Sequence, residues 1–328
     1  MYAGTATASV AAAALLGAGA LLMPVTTDDA PATGTAAAGH PGTAARAAAL
    51  RATAATGPGV RTAGDVGRAR TGAPLVIAHR GASAYAPENT LAAVDKADVL
   101  GFDWVENDVQ LTRDGVLVVM HDTGLKRTTD AEEVFPGRAP WAVKDFTAAE
   151  IARLDAGSWF GPQYAGARVP TLRQYLERIG RNQQNLLLEI KSPEIYPGIE
   201  RATLGVLRQE GWLDREHVRG RLVIQSFGAD SVRRVHEQRP DVVTGFLGTP
   251  AVADLPSYAA FTDRINPAYA SVSADYVAAV HALKGPHDKR LQVNAWTVND
   301  AENALRVAGL GVDGIITNAP DVVREATG

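Results

Sequence analysis

The stretch WVENDVQLTRDGVLVVMHD, residues 104–122, contains the pattern that decides the fold of this 328-residue chain. An apolar run carrying Glu106 and Asp108 leads into Asp114-Gly115, a pair typical of hairpin turns. A second apolar run follows and ends at His121. We interpret the first run as a barrel strand that passes the barrel rim. The second run is then a return arm that brings His121 back over the same mouth.

Two other short apolar runs also end in ionisable residues. LVIA precedes His79 and Arg80, and LLLEI contains Glu189 and precedes Lys191. Catalytic groups of a (β/α)8 barrel lie at the C-terminal ends of its parallel strands. The sequence therefore predicts that these residues meet at one mouth.

The alternation of apolar runs with helix-like segments predicts an α/β protein, a (β/α)8 TIM barrel with a small insertion after the second strand. The apolar runs do not alternate with polar residues, as expected for parallel strands that are covered on both faces. The predicted strands are LVIA (75–78), WVENDV (104–109), LLLEI (186–190), LVIQSF (222–227), VVTGFL (242–247), ASVSA (270–274), LQVNAWTV (291–298) and GIITN (314–318).

Helices are predicted between most of these strands. The first follows Asn89, a residue type favoured at helix N-caps, and ends at Gly101. The insertion, about residues 122–170, is too long for a bare loop and contains a helical piece at 147–157, so we interpret it as a lid beside the mouth. The predicted helices are 90–101, 199–211, 229–240, 276–285 and 300–311.

The composition excludes several classes of function. The chain has no cysteine, which rules out disulfides, thiolate metal sites and a cysteine nucleophile. The net charge is −4, so no basic bias indicates a nucleic-acid partner. We expect a small-molecule substrate and a monomer.

The N-terminal region predicts export. Residues 1–30 resemble a signal peptide, with an uncharged apolar run from Val10 to Val25, although no Lys or Arg precedes it. A membrane anchor is the alternative, but the run is short for a span. Residues 31–72 are rich in Ala, Gly, Thr and Arg without an apolar period, and we interpret them as a disordered linker. The folded domain is then 73–328, secreted or on the cell surface, with no stable membrane insertion.

The carboxylates predict a metal site. Glu106 and Asp108 are two residues apart on an extended strand, so both project from one face. They repel each other unless a cation lies between them, and Glu189 from the next barrel strand completes an all-oxygen set. Such ligands suit Ca²⁺ or Mg²⁺ rather than zinc, and export favours Ca²⁺. The alternative for Glu106 and Asp108 alone is a solvated strand edge.

Two histidines are candidates for acid–base chemistry. Imidazole titrates near neutral pH, so His79 and His121 could take a proton from a nucleophile and give one to a leaving alkoxide. The set suits metal-assisted cleavage of a phosphate ester. We expect ordinary hydrogen-bonding roles or no site role for the other histidines, which are His40, His217, His236, His281 and His287.

Two cations are predicted to contact phosphate. Arg80 and Lys191 would neutralise its non-bridging oxygens, in addition to salt bridges with Glu88 and Glu189. Glu88 is expected to support Arg80 rather than to react.

Aromatic residues are candidates for the walls of the mouth. Trp296 and, more weakly, Phe227 would give an apolar wall to the alcohol or glycerol group, with core packing as the alternative. Trp159 and Phe160, in the insertion, are candidates for the entrance, although aromatic residues usually pack.

At this point the sequence resembles the glycerophosphodiester phosphodiesterase family, over about residues 75–320. The motifs, in order, are HRGASAYAPENT, ENDVQLTRDGVLVVMHD, LKRTT, LDAGSWFG, VPTL, LLLEIK, QSF, NAWTVN and GVDGIITNAP. The resemblance implies a (β/α)8 barrel with an insertion after the second strand. It also implies metal-dependent hydrolysis of glycerophosphodiesters to sn-glycerol 3-phosphate and an alcohol.

The resemblance also implies residue roles. His79 and His121 would be the acid–base pair, Glu106, Asp108 and Glu189 would bind the metal, and Arg80 and Lys191 would contact phosphate. The family commonly has an apolar residue where this chain has Asn107. We expect Asn107 to face away from the mouth and to have little effect.

Alternatives stay open at the level of the sequence. A phospholipase D-type enzyme acting on lysophospholipid or sphingolipid would use the same site, as would a hydrolase of glycerol-phosphate polymers. A non-catalytic binding protein is disfavoured because every expected site residue is present. The attacking group is the glycerol 2-hydroxyl, through a cyclic phosphate, or water directly.

Overall fold

The computed structural model describes residues 72–328, and the predicted export segment and linker lie outside the described residues except for Gly72. Within this part, the strands are β1 (Leu75–Ala78), β2 (Trp104–Leu111), β3 (Leu117–Val119), β4 (Asn185–Ile190), β5 (Leu222–Ser226), β6 (Val243–Leu247), β7 (Arg264–Asn266), β8 (Gln292–Ala295) and β9 (Gly314–Thr317).

The α-helices of the same part are α1 (Leu91–Val99), α2 (Ala131–Val134), α3 (Ala148–Ile151), α4 (Leu172–Arg181), α5 (Ile199–Gln209), α6 (Arg215–Gly220), α7 (Ala229–Gln238), α8 (Leu255–Ala259), α9 (Ala274–His281), α10 (Ala301–Gly309) and α11 (Pro320–Thr327). Short 3-10 segments lie at Val143–Asp145, Pro162–Tyr164, Pro193–Ile195, Val252–Asp254 and Tyr269–Ser271. Of the helices between residues 72 and 328, none combines the length and apolarity needed to cross a membrane.

Every strand except β3 belongs to a closed parallel barrel, which confirms the predicted fold class. β1 pairs with β9 over its whole length and with β2 through Ala78 and Val105, so the sheet has no open edge between its first and last strands. A small cluster of branched aliphatic side chains lies in the interior, and larger clusters lie between the strands and the surrounding helices. The interior cluster consists of Ile77, Leu187, Val223 and Ile316.

The predicted hairpin after the second barrel strand is present. β2 continues to Leu111, the chain turns, and β3 returns antiparallel with Leu117 opposite Leu111. The turn is closed by the Thr112 amide, which donates to the Val116 carbonyl at 3.0 Å. His121 follows β3 directly, so the return arm places it over the mouth of the barrel.

The segment between β3 and α4 has an apolar cluster of its own. Phe146, Ile151 and Leu154 are completely or almost completely buried in it. The helix predicted at 147–157 is wrong in length, because α3 covers only Ala148–Ile151. Thr147 caps its start, and the helix ends where the chain turns to pack Leu154 into the cluster.

One predicted strand is wrong. Residues 270–274 form a 3-10 turn and the start of α9, where the Ser273 side chain accepts from the Tyr276 amide. The barrel strand lies earlier, at Arg264–Asn266. Only one of its three residues is apolar. Asn266 faces the barrel interior, where its side chain donates to Gln225.

The predicted cap of α1 is also wrong by one residue. Thr90 is the N-cap, and its hydroxyl accepts from the Ala93 amide. Asn89 adopts a positive φ of 58° instead, and its side chain turns toward β2.

Candidate active site

Three carboxylates lie together at the C-terminal mouth of the barrel. Glu106 and Asp108 are on one face of β2, and the register of β2 with β4 places Asp108 opposite Glu189. All three are buried, and one oxygen from each lies within 4.8 Å of the others. The strand alternation and the register therefore produce the cluster that the sequence predicted.

The donor set of this cluster fits a hard divalent cation. Glu106 Oε1 and Asp108 Oδ1 are buried and have no hydrogen-bond partner within the described part of the chain. A buried carboxylate oxygen without a donor is costly, and a cation bound by all three groups would remove that cost. Glu106, Asp108 and Glu189 are the residues that could hold it.

The electrostatics agree with this interpretation. Burial, together with the charges of Asp108 and Glu189, raises the pKa of Glu106 well above its usual range. Burial also raises the pKa of Glu189 to about 7, although the Lys191 ammonium opposes it. For Asp108, burial is outweighed by nearby cations, Lys191 first, and the pKa is lowered. Without a cation, the three groups therefore do not all ionise readily at neutral pH.

Arg80 connects β1 to the carboxylates through both its backbone and its side chain. Its φ of 56° turns the backbone so that the N–H donates to Glu106 Oε2 at 2.9 Å. Nε lies 3.5 Å from Asp108 Oδ2, and Nη1 donates to Glu88 Oε1 at 2.8 Å. The next residue must be glycine, because a Cβ on Gly81 would lie 2.6 Å from Ala93 of α1. Glu88 thus contacts Arg80, as expected from the prediction that it supports this side chain.

Lys191 lies just past the end of β4 and faces the same cluster. Its Nζ lies 2.8 Å from Glu189 Oε1 and 3.8 Å from Asp108 Oδ1. It also lies 5.4 Å from the centroid of the Phe227 ring. Arg80 and Lys191 therefore flank the carboxylates on two sides and can face an anion in the mouth.

His79 is the more enclosed of the two histidines. Its Nδ1 lies 2.6 Å from Asn318 Oδ1, beyond the end of β9, and its Nε2 lies 3.9 Å from Glu106 Oε2. Burial first, and then the charge of Arg80, lowers the pKa of His79 to about 3. The imidazole is therefore neutral at physiological pH, with Nε2 toward the mouth.

His121 is held by a chain of charged contacts. Its Nδ1 lies 2.7 Å from Asp122 Oδ1, and Arg127 contacts Asp122 through Nε at 2.6 Å and Nη2 at 2.9 Å. Arg127 also forms two hydrogen bonds of 2.8 Å to Glu88, which in turn contacts Arg80. The return arm is thus tied to the end of β1 by alternating charges.

A cavity of about 140 Å³ lies between these groups. Phe227 and Trp296 both line it, and their rings pack edge to face with centroids 5.3 Å apart. Trp296 Nε1 donates to the Asn266 carbonyl at 2.7 Å. The residues that line the cavity are His79, Arg80, Glu106, His121, Glu189, Lys191, Gln225, Phe227, Leu247, Trp296, Thr297 and Ile316.

Trp159 and Phe160 do not line this cavity. Their rings pack edge to face at 5.6 Å, and Trp159 Nε1 donates to the Ala156 carbonyl, so they stabilise their own segment. Asn107 does not line it either. It is completely buried between Val105 and Val109, on the face of β2 opposite the carboxylates.

Among the residues that the sequence reasoning did not assign to the site, five polar ones hold its side chains or line the cavity. Asp122 and Arg127 hold His121, Asn318 holds His79, and Gln225 lines the cavity. Asn89 donates through Nδ2 to Asp108 Oδ2 at 2.8 Å. All five lie in motifs that carry the family resemblance, which was the available signal. Their partners are set only by the fold.

Comparisons with known proteins agree with this geometry. Residues 79–322 match the Glycerophosphoryl diester phosphodiesterase family. A Bacillus subtilis glycerophosphodiester phosphodiesterase is 35% identical over 265 residues, covering 76% of this chain and 84% of the relative. The Caldanaerobacter subterraneus enzyme of the same name is 38% identical over 253 residues, covering 76% and 96%.

Among solved structures, an Oleispira antarctica phosphodiesterase in complex with the product sn-glycerol-3-phosphate superposes with a TM-score of 0.67. It is 30% identical, and the match covers 77% of this chain and 96% of that one. The fold and the mouth are those of a barrel enzyme that cleaves phosphodiesters. The chain belongs to the glycerophosphoryl diester phosphodiesterase family.

Proposed function

We propose that this enzyme hydrolyses glycerophosphodiesters to sn-glycerol 3-phosphate and an alcohol, with a divalent cation and a histidine pair. The observation that carries the proposal is the cluster of Glu106, Asp108 and Glu189 facing His79 and His121 across one cavity. The relatives' names and the product bound to the Oleispira antarctica enzyme support the substrate class.

The three carboxylates would hold the cation through oxygen atoms. When bound, the cation supplies charge stabilisation for the phosphate oxygens. Ca²⁺ is the proposed ion because the ligands are all oxygen and the protein is expected to be exported. Asn89 and Arg80 hold Asp108 and Glu106 in place for this role.

The histidines divide the proton transfers. His79 is neutral and donates Nδ1–H to Asn318, so its Nε2 can take the proton of the nucleophile. His121 Nδ1 contacts the Asp122 carboxylate, which fixes the orientation of the ring, and His121 would give a proton to the leaving oxygen. The nucleophile is the glycerol 2-hydroxyl or water. Trapping of a cyclic phosphate distinguishes the two routes, because water supplies one phosphate oxygen in both.

The remaining residues position the substrate. Arg80 as a planar fork and Lys191 as a point charge would bind the non-bridging oxygens, where negative charge increases in the transition state. Phe227 and Trp296 form the apolar wall beside them, which suits the carbon atoms of glycerol.

The experiment measures release of glycerol 3-phosphate from a panel of glycerophosphodiesters and lysolipids after treatment with a chelator. We expect loss of turnover and its return on addition of Ca²⁺, with Mg²⁺ as the comparison ion. Activity that is insensitive to the chelator would contradict the three-carboxylate site. Activity only on lysolipids would replace the proposed substrate by the phospholipase D-type alternative.

The surroundings of the mouth favour a hydrophilic substrate. An open groove of about 730 Å³ adjoins His121, and its lining contains Lys126, Arg127 and Lys191 but no large apolar side chain. A lysolipid would leave its acyl chain in this polar groove. A glycerol-phosphate polymer is the second candidate, because its next phosphate would meet the cations there. Comparing kcat/KM for glycerophosphoglycerol and a longer oligomer tests it.

We also propose that the protein acts outside the cytoplasm as a monomer. The apolar run from Val10 to Val25 supports export. Fractionation of the native host, with N-terminal sequencing and light scattering of the recovered protein, tests both points. Recovery of the uncleaved chain in the cytoplasm would contradict export.

A further inference from the structure

A second cavity lies at the opposite end of the barrel, where the parallel strands begin. Its volume is about 350 Å³, larger than that of the catalytic cavity. The first residues of five strands contribute to its lining, which places it at the N-terminal end. These residues are Trp104, Leu222, Val243, Arg264 and Gln292.

The lining contains more cations than the nearby carboxylates neutralise. Asp241 is engaged by Arg239 at 2.7 Å, and Asp263 by His287 at 2.8 Å. Arg290 has a partner of its own, Asp313. The cations of the lining that form no ion pair within residues 72–328 are Arg219, Arg264 and Lys289.

Arg264 is the central member of this group. Its Nε is buried and has no hydrogen-bond acceptor among residues 72–328, and its guanidinium carbon lies 5.8 Å from the Trp104 ring centroid. Burial lowers the pKa of Arg264 to about 10, and Asp263 and Asp313 offset only part of this effect. The cavity therefore has a guanidinium N–H group ready for a ligand that accepts hydrogen bonds.

A purely structural role does not account for this arrangement. The N-terminal end of such a barrel normally serves stability, and buried arginines that serve stability are paired. Leaving a buried guanidinium nitrogen without an acceptor costs free energy that a well-packed apolar side chain would avoid. An anion in the cavity removes this cost and neutralises Arg219 and Lys289 together with Arg264.

We propose that this cavity binds the phosphate group of a small anion, either free phosphate or a phosphomonoester. A group with two negative charges matches three unpaired cations better than a single carboxylate does. The planar Arg264 guanidinium suits two phosphate oxygens at once. The same lining contains the apolar side chains of Val218, Leu222 and Val223, against which a short carbon chain would pack.

The experiment compares phosphate binding in three forms of the full chain, by equilibrium dialysis with labelled inorganic phosphate and, separately, labelled glycerol 3-phosphate. The test variant is R219Q/K289Q, which removes two exposed cations of the cavity. The control is R208Q/K144Q, which removes two exposed cations that form no ion pair in the described part of the chain and do not line this cavity. Both variants change the net charge equally and leave the catalytic mouth intact.

We expect the wild type and R208Q/K144Q to bind one more anion per chain than the catalytic site accounts for. In R219Q/K289Q this additional affinity should fall about tenfold or more. Equal turnover by all three forms shows that each is folded. A difference for both ligands indicates a monoester site, and a difference for inorganic phosphate alone indicates a phosphate site. The same binding in all three forms, or equal loss in both variants, would overturn the proposal.

Discussion

The end of β1 and the return arm after β3 each carry one histidine of the mouth, but they hold it with different partners. His79 Nδ1 faces a neutral amide, Asn318, whereas His121 Nδ1 faces the Asp122 carboxylate. The side chain of His79 is 14% exposed and that of His121 is 30% exposed. Burial and a neutral acceptor favour the unprotonated ring of His79, which suits the base that we propose. The Asp122 carboxylate fixes the orientation of the His121 ring, which we propose as the acid.

The two regions also differ in how they are fixed. His79 follows a strand that is paired on both sides, so the barrel itself sets its position. His121 lies on an arm outside the barrel, where Asp122 and Arg127 link it to Glu88. Charged contacts therefore fix the position of His121 on the arm, whereas strand pairing in the barrel fixes the position of His79.

The largest effect should come from removing either histidine. Both His79→Ala and His121→Ala should lower turnover of glycerophosphocholine about 10²–10⁴-fold, the usual contribution of general acid–base catalysis. A substrate with p-nitrophenol as the leaving group separates the roles, because nitrophenolate leaves without being protonated. On it, the loss caused by His121→Ala should shrink at least tenfold, and that caused by His79→Ala should not.

The control for this series is His217→Ala. His217 Nδ1 lies 2.8 Å from Asp214 Oδ1 and the residue does not line the cavity, so turnover should stay unchanged. Circular dichroism and a metal-binding measurement confirm that each variant is folded and loaded. If the two catalytic variants lose the same factor on both substrates, the assignment of acid and base is wrong.

The next effect concerns pH. Asn318→Asp places a carboxylate beside His79 and should raise its pKa from about 3. The base is then protonated at a higher pH, so the acidic limb of the kcat/KM profile should move upward by a unit or more. Asp122→Asn removes the carboxylate contact of His121 but leaves Asn318 beside His79, so the acidic limb should stay in place.

These two variants serve as controls for each other, since each changes one oxygen or nitrogen atom of one side chain. Rate profiles measured at saturating metal should show the acidic limb moved in Asn318→Asp and unmoved in Asp122→Asn. An acidic limb that moves only in Asp122→Asn would reverse the roles of the histidines. Unmoved profiles would mean that the partners of Nδ1 do not control the reaction.

Much of this site follows from the sequence for a physical reason. Side chains two apart on a strand share a face, and the ends of parallel strands share a mouth, so Glu106, Asp108 and Glu189 could be placed together. The hairpin signal at Asp114-Gly115 likewise predicted the return arm. Each inference used only local pattern and a general property of barrels.

The rest depends on contacts between distant residues. Asn318 reaches His79 from 239 positions along the chain, and no local pattern indicates which amide closes that contact. The strand at Arg264–Asn266 was missed because its interior positions are polar and are satisfied by other strands. The same applies to the cavity around Arg264, since its lining comes from separate strand starts and loops.

All three carboxylates lie on barrel strands. They should make the stability of the barrel depend on pH when the cation is removed. The pKa of Glu189 is raised to about 7, whereas an unfolded chain has about 4.3. The folded state thus holds a proton that the unfolded state has lost. This contribution is complete below about pH 4.3 and is lost as the pH rises through about 7.

Thermal unfolding of the chelated protein should therefore show a Tm that falls by several degrees between pH 5 and pH 8. The Tm of Glu189→Gln should fall less, because glutamine has no proton to lose at that position. Added Ca²⁺ should raise the Tm of the wild type most at pH 8. A flat Tm in the chelated wild type would contradict the buried, mutually repelling cluster.

The smallest effect is expected from Asn107, on the face of β2 opposite the site. It is completely buried, and neither the oxygen nor the nitrogen of its amide has a hydrogen-bond partner among the residues that the structure describes. Asn107→Val should raise the free energy of unfolding by about 1 kcal/mol, since an unpaired amide is replaced by a β-branched apolar side chain. Turnover should not change, because the side chain points away from the mouth.

The matched control is Thr244→Val, also a buried polar residue on a barrel strand. The Thr244 hydroxyl donates to the Phe261 carbonyl at 2.8 Å, so this substitution should lower stability by about 1 kcal/mol. Urea unfolding measures whether each substitution raises or lowers the free energy of unfolding. If Asn107→Val destabilised the barrel as Thr244→Val does, the amide would have a partner, and the division of β2 into a polar functional face and an apolar packing face would fail.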